Sequence, residues 1–210
     1  MNRALPKIAR RIGRFLADGL TFRRARRQDA LVAWSLVGGS IWLGASLASG
    51  AVEPEALCSG LYLLAILMAV CAIDARFGII PDSVNLALAA GGVADYAFVH
   101  GAAVYIGVFE AAAVFVAVAA FRSTFRLLRG YDGFGFGDVK FISAASLWIG
   151  FAALPEAVLI AVGSALAAIL LFNAERYEVG GRPAIPFGPH LAAGIWLTWN
   201  FDKLWSFGSV

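Results

Sequence analysis

Along this chain, apolar runs of about 15 to 20 residues alternate with short polar connections. Such runs predict membrane-spanning helices, because about 20 helical residues cross ~30 Å of hydrocarbon and slightly fewer suffice where flanking groups reach outward. Seven runs qualify, at 31–50, 56–73, 84–99, 103–121, 139–153, 155–173 and 186–201. The fifth and seventh are short, so six crossings is the alternative count. The expected fold class is all-α: a polytopic membrane helix bundle with six to seven transmembrane helices, occupying residues 31–210.

Composition agrees. Hydrophobic residues make up 60% of the 210, against roughly 45–50% in soluble domains, and the mean hydropathy is +0.78. Ahead of the first run lies a basic arm, residues 1–30, whose Ile8, Ile12, Phe15 and Leu16 follow helical spacing among nine lysines and arginines between Arg3 and Arg27. It reads as an amphipathic helix on an anionic membrane surface or, equally, as a tail that sets topology; an organellar transit segment is a weaker option. The first run begins near Leu31 and is long enough to span, so a cleaved signal peptide is not expected. Cys58 and Cys71 share one apolar run without metal-ligand spacing, so neither a disulfide framework nor a zinc site is expected. No metal, cofactor or nucleic-acid partner is implied.

Charge orders the seven runs. Lysine and arginine concentrate in cytoplasmic loops. With the arm cytoplasmic, the connections at 74–83 (Arg76), 122–138 (Arg122, Arg126, Arg129) and 174–185 (Arg176, Arg182) fall on the same side, and Lys140 starts the next helix from there. The opposite connections carry Glu53, Glu55 and Glu156; only Lys203 falls outside the pattern. The N-terminus is then inside and the C-terminus outside. Asp74 ends the second crossing and Asp138 opens the fifth, so both carboxylates are expected at the cytoplasmic interface, brought together by packing of those two helices.

Asp138 sits in Gly133-Phe134-Gly135-Phe136-Gly137-Asp138-Val139-Lys140, where three alternate glycines make a poor helix and permit unusual backbone. Irregular backbone at membrane depth is tolerated where protein buries it or where it lines a cavity. The plainer alternative is a flexible loop whose Asp138 caps the next helix. Asp74 sits in Ala72-Ile73-Asp74-Ala75-Arg76-Phe77-Gly78-Ile79-Ile80-Pro81-Asp82. Its plainer alternative is an interfacial charge paired with Arg76. Pro81 and Asp82 suit a helix start, which makes Asp82 a cap rather than a catalytic group.

Three separated motifs in order, an aspartate shortly before Ile80-Pro81, the Gly135-Phe136-Gly137-Asp138-Val139-Lys140 segment, and Ile185-Pro186-Phe187-Gly188-Pro189, resemble the type IV prepilin peptidases of the Gly-x-Gly-Asp membrane aspartic protease class. The resemblance runs from about Leu57 to Leu197. It implies Asp74 and Asp138 as the catalytic residues, with Gly135, Gly137, Lys140, Pro81, Pro186 and Gly188 binding substrate or shaping loops. It further implies a bacterial inner-membrane endopeptidase removing the basic leader from type IV prepilins at the cytoplasmic face, with prepilin, membrane lipid and other pilus-assembly proteins as partners. Family members usually carry asparagine where Asp82 stands. Long members also hold a cysteine-tetrad insertion and N-methylate the product, so this chain resembles the short, peptidase-only branch of tight-adherence (Flp-type) systems, with archaeal preflagellin peptidases a second short branch.

The chemistry suits that reading without the name. Two adjacent carboxylates share a proton, so one activates water while the other donates to the scissile carbonyl. The rival class is a transporter or channel subunit with Asp74 and Asp138 on an ion path, which predicts polar residues continuing across the bundle. Of the other polar residues, Asp95 and Glu110 lie in outer helix halves and suit interhelical or interfacial roles. Lys140 is expected to meet phospholipid or orient Asp138, and His190 to pack or hydrogen-bond. Trp196, Trp199, Trp205 and Phe207 read as an interfacial aromatic belt.

Overall fold

The computed structural model describes residues 54–172, 177–179 and 182–205, with Ser40, Ile41 and Gly44. The basic arm, and the first expected crossing apart from those three helical positions, lie outside the described residues. The described elements are α1 (Pro54–Phe77), α2 (Asp82–His100), a 3-10 turn (Gly101–Ala103), α3 (Val104–Arg129), α4 (Phe136–Phe172), β1 (Tyr177–Val179), β2 (Arg182–Ala184) and α5 (Gly188–Trp205). Among the described residues the regular structure is helical apart from one ribbon: β1 and β2 pair antiparallel, Tyr177 opposite Ala184 and Val179 opposite Arg182, within the connection expected at 174–185. Gly180-Gly181 between the strands is a hairpin signal that counting apolar runs passes over.

Three stretches are long and apolar enough to cross a membrane: Leu57–Phe77, Asp82–Arg129 and Phe136–Leu170. The second and third have 48 and 35 residues; straight, they would measure about 70 and 50 Å, far beyond ~30 Å of hydrocarbon. Both fold back instead. After the 3-10 turn, α3 returns beside α2, so that a Cβ on Gly107 would stand 2.8 Å from the Tyr96 ring. Within α4 the return is made at Gly150, whose φ of 75° and ψ of 164° fall in a region essentially reserved for glycine. Beyond it, Ser164 meets His190 at 2.9 Å, and Gly194 rests against the Ala157 carbonyl, which places the second half of α4 antiparallel to α5. An alanine at Gly150 is therefore expected to cost about 1–3 kcal/mol, read as a lower Tm of the detergent-solubilised protein with its mutant and native forms compared side by side.

Side-chain pairings fix the relative direction of the remaining helices. Tyr62 donates to the Ala87 carbonyl at 2.9 Å, so α1 and α2 are antiparallel. Lys140 meets Asp82, and Trp148 donates to the Leu88 carbonyl at 2.9 Å, so the first half of α4 runs with α2. Ser143 donates to the Ala111 carbonyl at 2.6 Å and Phe136 meets Phe115, so it runs against α3. The end of α1 and the starts of α2, α4 and α5 thus share one end of the bundle with the end of α3.

The core joins Leu63, Leu67 and Val70 of α1 to Phe141 and Trp148 of α4 and to Leu191, Ile195, Trp196 and Trp199 of α5. Trp196 and Trp199 are 1% and 2% exposed and stacked at 5.6 Å. They are core residues, not members of an interfacial belt, because positions 192, 195, 196 and 199 form one helical face turned into the bundle. Outward-facing side chains are apolar as well: Leu86, Phe109, Leu159 and Leu170 are each more than 70% exposed. That much contiguous apolar surface is stable in lipid rather than in water.

Candidate active site

Asp74 lies in the last turn of α1. The helix stops three residues later because Gly78, at φ 65°, turns left-handed and donates its N–H to the Asp74 carbonyl at 2.8 Å. Its carboxylate is turned into the protein and is 4% exposed. The Gly188 N–H, first in α5, donates to Asp74 Oδ2 at 2.8 Å. A helix start offers unpaired N–H groups to an anion, so α5 supplies a ready carboxylate anchor. There is no space for a side chain there: a Cβ on Gly188 would lie 2.7 Å from Oδ2 and 2.9 Å from Cγ of Asp74.

Asp138 is held the same way from within its own segment. α4 begins at Phe136, and the Gly135 N–H donates to Asp138 Oδ2 at 3.0 Å, the backward half of a capping box. The side chain thus caps its helix, as the plainer reading had it, while being 8% exposed and facing inward. Gly137 lets this segment lie against the start of α2, since a Cβ there would come within 3.3 Å of the Ile80 Cβ and 3.4 Å of its carbonyl oxygen.

The two carboxylates are close enough for their charges to interact. Each spends Oδ2 on a glycine N–H, which leaves Oδ1 for its neighbour, for water or for a bound peptide. Direct packing of α1 on the first half of α4 plays a small part in this; α5 packs against both helices and α2 bridges them. The second and fifth crossings do touch, Tyr62 stacking on Trp148 at 6.0 Å, while α5 and α2 supply most of the packing around the two acids.

The other candidates separate. Pro81 occupies the N-cap of α2 with φ −65° and ψ 145°. Asp82 is therefore in the first helical turn and not the cap, and it makes no capping bond. It forms an ion pair with Lys140 at 2.6 Å, which ties the starts of α2 and α4 together. Lys140 neither orients Asp138 nor stands alone, because positions 138 and 140 differ by about 200° around the helix. The face carrying Lys140 looks instead into a cavity of about 440 Å³ shared with Asn85, Phe115 and Ser143, on the side of α4 away from the carboxylates. Pro186 is half-buried in the extended run before α5. Asp95 is distant in height as well as sequence, standing about 20 Å along α2 from Asp82, and Glu110 lies on α3 beside Ala111, which accepts from Ser143 rather than from the carboxylate segment. His190 is hydrogen-bonded with Ser164. Among the described residues no group of three His, Cys, Asp or Glu side chains is placed to hold a metal.

Two residues escaped sequence reasoning. Asn85 is buried with neither side-chain polar atom hydrogen-bonded, and a polar residue at helical spacing from Asp82 carries no distinguishing signal. Arg122 was read only as a topology charge. It pairs with Asp132 at 2.9 Å, donates from Nε to the Phe134 carbonyl at 3.0 Å, and lies over the Phe136 ring at 5.7 Å.

A lipid-facing helical bundle that buries two neighbouring carboxylates at one end, each on a glycine N–H, defines a membrane protein with a paired-aspartate site. Residues 61–172 match the type IV leader peptidase family, and the chain belongs to that family. It is 36% identical over 157 residues to a prepilin leader peptidase/N-methyltransferase of Burkholderia pseudomallei (strain 1026b), covering 70% of this chain and 50% of the relative. Proteins of the same name from Dickeya chrysanthemi and Pectobacterium carotovorum subsp. carotovorum are 34% and 30% identical over 161 and 159 residues, covering 75% and 76% of this chain and 52% and 53% of theirs. The chain therefore spans about half the length of these relatives. No solved structure shows a significant match.

Proposed function

We propose that this protein is an aspartic endopeptidase that removes the basic leader of type IV prepilins, with Asp74 and Asp138 as its catalytic pair. The observation that carries the reading is the burial of both carboxylates at one end of the bundle, each fixed by a glycine N–H on Oδ2 and near enough for their charges to interact. A proton held between them lets one carboxylate take a proton from water as it attacks the scissile carbonyl while the other gives a proton to the carbonyl oxygen. Gly188 and Gly135 act by holding these groups in place, Gly137 and Pro81 by letting α4 and α2 meet, and Pro186 by setting the entry to α5. Lys140 ties α2 to α4.

We place the site at the cytoplasmic face of the bacterial inner membrane, with residues 31–210 as one membrane domain of six or seven crossings and the basic arm at 1–30 inside. Arg76, Arg122, Arg126, Arg129 and Lys140 at the carboxylate end support that orientation. A prepilin presents a basic leader to that side and an apolar helix to the bilayer, so its junction reaches the depth of the pair. Following the resemblance of residues 57–197 to the short branch of the family, we take a Flp-type prepilin as the substrate, with lipid and other pilus-assembly proteins as neighbours. Co-expression with Flp-type prepilins tests the reading: leader loss on gels and by mass spectrometry is expected, and an intact precursor beside normal amounts of this protein would refute it.

A further inference from the structure

We propose that Arg122 is a positioning residue for Asp138, acting through the single peptide unit that joins Phe134 to Gly135. This role rests on the peptidase reading above.

The geometry is a relay. Arg122 stands on α3, about two turns before its end, and the chain leaves that helix at Gly130 and re-enters helix at Phe136, just after Gly135. Its Nε–H is donated to the Phe134 carbonyl at 3.0 Å, and the Gly135 N–H is donated to Asp138 Oδ2 at 3.0 Å. That carbonyl and that N–H are opposite edges of one trans peptide. Because the peptide is planar and stiff, fixing the carbonyl edge fixes the direction of the N–H. A carbonyl that accepts a bond from a cation also polarises its own N–H, which strengthens the bond to the carboxylate.

Arginine suits this place for a geometric reason. Its fork presents Nε and Nη2 together, one to the Phe134 carbonyl and the other to Asp132 at 2.9 Å, so Asp132 holds the guanidinium in the plane the relay needs. The side chain is only 16% exposed. Around it the loop is pressed onto α3 by aromatic contacts, Phe121 on Phe134 and Phe125 on Tyr131, and the Phe125 ring occupies the space a side chain at position 133 would take. These contacts hold the loop down, but none of them aims the 134–135 peptide; Arg122 alone among the described residues bonds its carbonyl edge.

The test is cleavage kinetics on a prepilin that the wild-type protein processes, with Arg122→Gln, Arg122→Lys and wild type purified in the same detergent. Arg122 touches neither the carboxylates nor the space between them, so R122Q is expected to lower kcat about ten- to a hundredfold, the range for a small misplacement of a reacting group, and to leave KM within about twofold. R122K, which keeps one charged donor but loses the fork, is expected to recover part of the lost kcat. A kcat for R122Q within about threefold of wild type would overturn the proposal, and so would a loss carried by KM, since that marks a substrate contact. If R122Q does not accumulate, R122K decides: a several-fold lower kcat at unchanged KM supports the relay and wild-type kinetics refute it. Wild-type protein that cleaves no prepilin would instead refute the parent reading, and this role with it.

Discussion

Asp74→Asn and Asp138→Asn are each expected to abolish leader cleavage, by about three orders of magnitude or more, and the double mutant is expected to be hardly worse than either. Residues that act as one unit do not add, because removing one already removes the shared function. An amide has nearly the shape of a carboxylate, and its oxygen can still accept from Gly188 or Gly135, so the anchoring bonds and the protein's abundance should survive. What is lost is the ability to hold and pass a proton. Asp82→Asn is the natural control: its carboxylate is exposed, pairs with Lys140 and faces away from the pair, and an amide oxygen can still accept from the ammonium. Immunoblots of precursor and mature pilin in membranes holding equal enzyme give the readout. Substantial cleavage by either single asparagine variant would take that residue out of the mechanism.

Gly188→Ala should have the second largest effect, although it adds only one methyl group and removes no titratable group. The new Cβ would lie 2.7 Å from Asp74 Oδ2, nearer than such atoms approach, so the carboxylate has to leave its place on the start of α5. Alanine is otherwise a better helix residue than glycine, so α5 itself is not weakened. Cleavage is expected to fall about a hundredfold while Tm stays near that of the native protein. The comparison of activity with Tm separates displacement of Asp74 from unfolding, and near-native cleavage would show that the Gly188 contact does not govern the site. Alanine at Gly163, which has nothing within 4 Å of an added Cβ, serves as the matched control.

The positions of the two acids at helix ends were legible in the sequence because hydrophobic runs report helix length and polar interruptions report helix ends. Asp74 does close a helix and Asp138 does open one, and Gly135, Gly137 and Gly188 stand beside them. The reading erred where it inferred neighbours. Trp196 and Trp199 looked interfacial because tryptophan often is, yet a face is chosen by packing, and theirs is turned inward. Lys140 looked like a partner for Asp138 or for lipid, but two residues along a helix point nearly opposite ways and its partner is Asp82, on another helix. Arg122 was absorbed into a count of positive charges, since nothing in the one-dimensional chain says which of several arginines will find a backbone carbonyl.

By itself, then, the sequence determined the apolar, all but wholly helical character of the described residues and the shared end of the bundle at which both carboxylates lie, because those follow from the length and order of apolar segments. Only the tertiary structure decided how the carboxylates are held. Asp74 is anchored by a backbone N–H 114 residues away, and α1 and α4, which touch where Tyr62 stacks on Trp148, are held mainly through α5 and α2. Such contacts depend on the way helices cross and on where a missing Cβ permits close approach, and no periodicity along the chain encodes either.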